Sequence, residues 1–272
     1  QTQTIGMIVP SGPDGFEDDF FSVLMKGVTH AAARHHYDVL ISALLPGDNE
    51  MDVYRRVVGG QRVDGVILAR TYRNDPRIAY LREINVPFVV SGRASPDQPS
   101  DFPYIDADSQ AGLALLVAHL VDYGHEHIGL ILPPKQVAFT GYRLRGYQHG
   151  LAAANLPYRD DYIATADLTR DGGEQATAQL LAEQPRLTAI IACNDLMAIG
   201  AMNAVQARGL TVGVDVAISG FDDIPLAAHT TPTLTTIQQP IFTIGEELTT
   251  MLVSIMTEQG GTPAGKLIKP TL

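Results

Sequence analysis

ISGFDDIPLAAHTTPTLTTIQQP, residues 218–240, holds an apolar strand end, two adjacent carboxylates, a turn-rich segment and a short second strand that leads into a helix. In an open α/β sheet, ligands bind in the crevice outside the carboxyl ends of the strands. Asp222 and Asp223 follow such a strand directly, so recognition is expected there.

Outward from this stretch, the chain alternates strands and helices. Apolar runs at 5–9, 39–42, 63–69 and 87–90 read as strands, and 63–69 and 87–90 are continuous enough to be buried on both faces. Apolar residues recur at helical spacing over 20–34, with Asp18 or Asp19 as its cap, and a further helix is expected at 51–58. A second series begins near Asp106. Helices are expected at 110–123, 144–155, 173–183 and 197–208, and strands at 128–132, 162–165, 189–193, 216–219 and 234–237. Strands separated by helices of this length predict parallel sheets. The segment DQPSDFP at 97–103 reads as the break between two series, so two sheets are expected rather than one.

Composition narrows the function. The 272 residues carry 19 basic and 30 acidic side chains, net -11, with no run of Lys or Arg, so these residues alone are not expected to hold a phosphate backbone. No stretch of about 18 apolar residues predicts a membrane span, and no basic-then-apolar leader is present. The single cysteine, Cys193, excludes an internal disulfide framework and sits within an apolar strand as a small buried hydrophobe. No dinucleotide fingerprint, Walker loop or GxSxG elbow occurs. His125 and His127 have the look of metal-ligand spacing but fall in a helix-to-strand turn, and no cofactor or metal is expected.

Pieces spread in order along the chain resemble the effector-binding domain of LacI/GalR-family transcriptional regulators. They are Ile5-Gly-Met-Ile-Val-Pro, Phe20-Phe-Ser-Val-Leu-Met-Lys-Gly-Val, Val63-Asp-Gly-Val-Ile-Leu-Ala and Val86-Pro-Phe-Val-Val-Ser-Gly-Arg. Leu120-Val-Asp-Tyr-Gly-His, Tyr142-Arg-Leu-Arg-Gly-Tyr, Ala192-Cys-Asn-Asp-Leu-Met-Ala-Ile-Gly, Gly220-Phe-Asp-Asp and Leu234-Thr-Thr-Ile-Gln-Gln-Pro complete the series. The resemblance implies the type I periplasmic-binding-protein fold: two Rossmann-like lobes, a ligand cleft between them and three chain crossings. The crossings are placed near 106, 240 and 262. That gives an N-terminal lobe of 1–106 plus 241–260 and a C-terminal lobe of 107–240 plus 261–272.

Site residues follow position by position. Phe20 and Phe21 match the family's aromatic position at a helix start; neighbours on a helix point about 100° apart, so Phe20 is assigned to the cleft and Phe21 to the core. Asp19 adds a polar contact beside them. Arg143 matches the ligand-clamping arginine, whose planar fork suits paired hydroxyls or a carboxylate, with Arg145 in solvent. Asn194 ends a strand and both donates and accepts, with helix capping as its other use. Asp222 matches the ligand carboxylate, and Asp223 a turn. Arg70 and Arg93 stand at carboxyl strand ends, able to face a ligand or to pair with Asp19, Glu17 or Asp222. Gly92 stands where many relatives have an acid. Residues 69–77, ARTYRNDPR, resemble α-glucoside-responsive regulators.

The resemblance therefore implies the ligand-sensing and dimerisation core of a cytoplasmic, non-enzymatic regulator. It takes a mono- or disaccharide effector and works by hinge closure. The helix at 20–34 and the loop 224–229 are its implied dimer surfaces. Family members carry a helix-turn-helix ahead of this domain, so operator DNA is a partner only through that part. Two other readings stand beside it: the secreted sugar-binding protein of an ABC transporter, and a sugar-acting hydrolase using Asp195, Asp222 and His229, which would need two carboxylates some 5–9 Å apart across the sugar.

Overall fold

A computed structural model describes residues 2–11, 19–257 and 265–272. In chain order the first elements are β1 (Thr4–Pro10), α1 (Asp19–Arg34), β2 (Asp38–Leu44), α2 (Glu50–Gly59), β3 (Gly65–Ala69), α3 (Pro76–Glu83), β4 (Phe88–Ser91) and β5 (Tyr104–Ala107). There follow α4 (Ser109–Asp122), β6 (Ile128–Leu132), α5 (Phe139–Ala153), β7 (Ile163–Thr165), α6 (Arg170–Glu183), β8 (Ala189–Ala192), α7 (Asp195–Ala207), β9 (Ala217–Asp222) and β10 (Thr235–Gln238). The chain closes with α8 (Ile241–Met256) and β11 (Lys266–Ile268).

The chain divides into two compact units. The first takes residues 1–107 and 240–268, and the second 108–239 and 269–272. Each is built on its own parallel sheet, ordered β11-β5-β4-β3-β1-β2 in the first and β10-β9-β8-β6-β7 in the second. The central strands β3, β4, β6 and β8 are buried along their whole length, which is why they read as uninterrupted apolar runs.

The third crossing differs from expectation. The sequence places 261–272 in the second lobe, but β11 pairs with β5, Lys266 opposite Ile105 and Ile268 opposite Ala107, and so belongs to the first sheet. Only residues 269–272 go with the second unit. Pairing there covers what would otherwise be the open edge of β5, and an exposed row of unpaired backbone groups is a liability that folds avoid. Two other elements go unread in the sequence: α3, and β5 with its four residues just past the DQPSDFP segment.

Helix ends are set locally. Asn49, Asp75, Asp108, Thr169 and Asn194 each accept a backbone N–H of the helix that follows, satisfying donors the helix itself leaves open. α8 returns to the first unit because its apolar stripe needs that sheet: Ile241, Ile244, Leu248 and Leu252 are all buried against it, each contributing about 1.5–3 kcal/mol. α5 lies close on α4 through Gly146, where a Cβ would come 2.3 Å from the Gln110 carbonyl. Arg143 lies three residues before Gly146 and is buried on the same helix.

Candidate functional site

In the second unit the carboxyl ends of β8 and β9 carry Asn194, Asp195, Asp222 and Asp223. Arg143 reaches this edge from α5. The helix begins at Phe139, a full turn before the expected residue 144, and this puts Phe139 and Arg143 one turn apart on the same face. The Arg143 guanidinium is only 3% exposed and lies between two rings, 4.3 Å from the Phe139 centroid and 3.9 Å from that of Phe221. Its Nη2 is 3.7 Å from Oδ1 of Asp222, close enough for charge attraction and too far for a hydrogen bond. Its Nε and Nη1 are buried with no hydrogen-bond partner among the described residues. A buried guanidinium with open donors is costly unless something supplies acceptors.

Asp222 is 7% exposed and adopts φ of +122°; Asp223 follows at φ of +57°. Backbone outside the usual regions costs of order 1–3 kcal/mol per residue and persists only where the surroundings enforce it. The enforcement is visible. The Asp222 carboxylate accepts from the side chain of Gln239, and that of Asp223 from Gln238 at 2.7 Å. Asp195, fully buried, accepts from the Ile224 backbone at 2.9 Å and the Thr236 hydroxyl at 2.5 Å, tying the turn after Asp223 to β10. Burial, opposed by those two bonds, pushes the Asp195 carboxyl up to about 6.

Asn194 takes the second of its two expected uses. Its Oδ1 accepts from the Met197 backbone at 2.9 Å and its Nδ2 donates to the Leu168 carbonyl at 3.0 Å, so it caps α7 and fixes a neighbouring loop. Asp195, which the hydrolase reading would use, is fully buried, with one oxygen accepting from Ile224 and the other from Thr236. Arg145 is exposed, as expected. Cys193 is fully buried and burial pushes its thiol up to about 12.

In the first unit Phe21 is 2% exposed and part of the core, whereas Phe20 is half-buried and meets it edge-on, ring centroids 5.6 Å apart. Asp19, half-buried, opens α1; Glu17 and Asp18 lie outside the described residues. Arg70 follows β3 in a left-handed conformation, φ +57°, with its guanidinium 5.1 Å above the Phe21 ring. Arg93 takes a partner not named from sequence: its Nε donates to Asp106 at 2.8 Å, an ion pair about one-eighth exposed on either side. Asp106 lies on β5, the unread strand, so its proximity was not visible in the chain. Gly92 has φ of +116°, and a Cβ there would sit 2.9 Å from Oγ1 of Thr71. The backbone itself therefore disfavours the acid that many relatives are expected to place there.

The histidines of the 125–127 turn are engaged structurally, His125 with Thr188 and His127 with Tyr162, each at 3.0 Å. Among the described residues no group of three or more His, Cys, Asp or Glu could hold a metal, and no helix is long and apolar enough to cross a membrane. Sequence reasoning missed Phe139, Phe221, Gln239 and Asp106. Gln239 and Phe221 stood in the opening stretch itself, and Phe139 was signalled by its spacing of four from Arg143.

A family profile described as a periplasmic binding protein-like domain matches residues 117–272. The HTH-type transcriptional regulator CelR of Thermobifida fusca is 30% identical over 273 residues, covering 100% of this chain and 80% of CelR. A solved complex of CelR with cellobiose has a TM-score of 0.92 at 30% identity, over 99% of this chain and 83% of that one. A LacI family transcriptional regulator from Enterococcus faecium with bound ribose gives 0.83 at 26% identity, over 98% and 95% of the two chains. The lac repressor dimer bound to operator and an anti-inducer gives 0.84 at 25% identity, over 100% and 92%. With two parallel-sheet α/β units, strained aspartates at a strand's carboxyl end and relatives of this kind, the chain belongs to the LacI family of transcriptional regulators, as their periplasmic-binding-protein-like domain.

Proposed function

We propose that the chain is the effector-sensing core of a cytoplasmic regulator of this family, without enzymatic activity, and that its effector is a mono- or disaccharide. The observation that carries the reading is Arg143: a buried guanidinium, stacked between two rings, with two open donor nitrogens beside a carboxylate. Sugar hydroxyls accept from the first and donate to the second, and the flanking rings suit the apolar face of a pyranose. The cellobiose and ribose bound to relatives support a sugar over other polar ligands.

Phe20, Asp19 and Arg70 are the proposed contacts of the first unit, with Phe21 and Arg93 behind them. An effector that engages both units favours the arrangement in which both reach it, and a hundredfold difference in affinity between two arrangements is worth about 2.7 kcal/mol, enough to bias operator binding by an amino-terminal helix-turn-helix domain. The chain works as a homodimer through α1 and the turn at Pro225–His229, where Leu226 is 44% exposed; the relative solved as a dimer supports this.

A thermal-shift panel of sugars, nucleosides and amino acids tests the reading. A ligand at 100 times its dissociation constant adds about 2.7 kcal/mol to stability. One sugar series should raise the melting temperature. A shift from a nucleoside or an amino acid, with none from any sugar, contradicts the assignment.

A further inference from the structure

Arg77 uses its whole guanidinium in bonds within the first unit, and it lies outside every contact proposed above. It is the second residue of α3 and is 3% exposed. A guanidinium has five N–H donors, and here all five are used. Nε and Nη2 form a fork on the two oxygens of Asp75, at 2.8 and 2.6 Å, and Nη1 donates to Glu50 at 2.9 Å. The remaining two go to backbone carbonyls: Nη1 to Ala69 at 3.3 Å and Nη2 to Arg70 at 2.6 Å. The Tyr72 ring covers the guanidinium at 4.8 Å and that of Tyr54 lies at 5.9 Å.

The two carbonyls are those on either side of the backbone step that turns left-handed at Arg70. A non-glycine residue holds that conformation only where its neighbours dictate it. Asp75 reinforces the grip, since its Oδ2 also accepts from the Tyr72 backbone at 3.1 Å and closes the loop that follows. From this loop Thr71 extends the connection, donating its hydroxyl to the Arg93 carbonyl at 2.8 Å. One buried arginine thus fixes the exit of β3, and through Thr71 the exit of β4.

We infer that Arg77 is a positioning residue for effector binding: clamped by Asp75 and Glu50, it holds the Ala69 and Arg70 carbonyls so that the Arg70 side chain stays over Phe21, at the edge where the effector is taken. The inference rests on Arg70 being an effector contact. A lysine at 77 keeps the charge but has three donors and no planar fork, so it cannot hold Asp75 and both carbonyls together.

The test is Arg77→Lys, read in two ways. A crystal structure of the variant should show Arg70 out of the left-handed region and its guanidinium away from Phe21; an unmoved Arg70 overturns the inference. Calorimetric titration with cellobiose should show at least a fivefold loss of affinity for Arg77→Lys alone, and no further loss when it is added to Arg70→Ala. Equal losses in both backgrounds overturn the inference, because a purely structural arginine would act the same way whether or not Arg70 is present. If Arg70→Ala alone leaves cellobiose affinity unchanged, the effector contact itself is wrong, and the crystal structure still decides whether Arg77 places Arg70. Should Arg77→Lys fail to fold, Asp75→Asn loosens the same fork while keeping the acceptor that caps α3, and is judged by the same two readouts.

Discussion

Arg143 and Asp222 face one another at 3.7 Å, an ion pair held just short of hydrogen bonding, with the arginine stacked between Phe139 and Phe221 and the aspartate in a conformation few non-glycine residues adopt. Both groups are buried, and neither charge is fully used by the other. Burying two charges that do not fully satisfy one another costs stability.

That cost should be recoverable. Replacing a poorly paired buried ion pair by neutral or apolar groups of similar size is often neutral or stabilising by about 1–4 kcal/mol. The double variant Arg143→Met/Asp222→Asn is expected to unfold at higher urea concentration than the native chain while losing effector binding. A drop of several kcal/mol would mean that the pair serves the fold instead.

Asp195 predicts a pH dependence. Its carboxyl is raised from 3.8 to about 6 in the folded state, mainly by burial. The folded state therefore holds its proton more tightly than the unfolded one. The resulting stabilisation is fully present below pH 3.8 and is lost as pH rises through about 6, an effect of roughly 3 kcal/mol. Asp195→Asn keeps an acceptor for Ile224 and gives Thr236 a donor. Urea unfolding between pH 4 and pH 7 should show the native chain losing stability relative to this variant; parallel curves would place the titration elsewhere.

Gly92→Ala should cost about 1–3 kcal/mol, because φ of +116° is unfavourable for any L side chain and the new Cβ meets the Thr71 hydroxyl. Gly92→Asp should be worse and gain no sugar affinity. Thermal unfolding checks both, and a stable, tighter-binding aspartate variant would contradict the geometry.

Gly146→Ala runs against helix propensity. Alanine is favoured over glycine by about 1 kcal/mol inside a helix, yet a Cβ here would lie 2.3 Å from the Gln110 carbonyl of α4. Net destabilisation is expected, with weaker effector binding as Arg143 moves outward with α5. A gain in melting temperature would show that α4 and α5 can separate freely.

Much of the fold was legible because burial on both faces leaves an unmistakable run in the sequence, as at Gly65–Ala69 and Ile128–Leu132. The short edge strand β11, Lys-Leu-Ile, carries no such signal, since it is half in solvent and takes its place from β5 rather than from its own composition. α3 was hidden for a related reason: its buried second residue is an arginine, which looks polar in sequence and is neutralised only by Asp75 and Glu50 in space. At the site, Arg143 and Asp222 were marked by their motifs. Arg93 pairs with Asp106, an acid not named from sequence, because the two come close only through strand pairing of β4 with β5. Asn194 shows the reverse limit: one side chain had two uses, and only the positions of Met197 and Leu168 reveal which of them the fold employs.

The most direct measurement is calorimetric titration of the native chain, Arg143→Ala and Asp222→Ala with the sugar that gives the largest thermal shift, cellobiose being the first tried. Each substitution should weaken binding at least tenfold while the variant still unfolds cooperatively. Native affinity in either variant would show that the effector is bound elsewhere and that the Arg143–Asp222 pair is not its site.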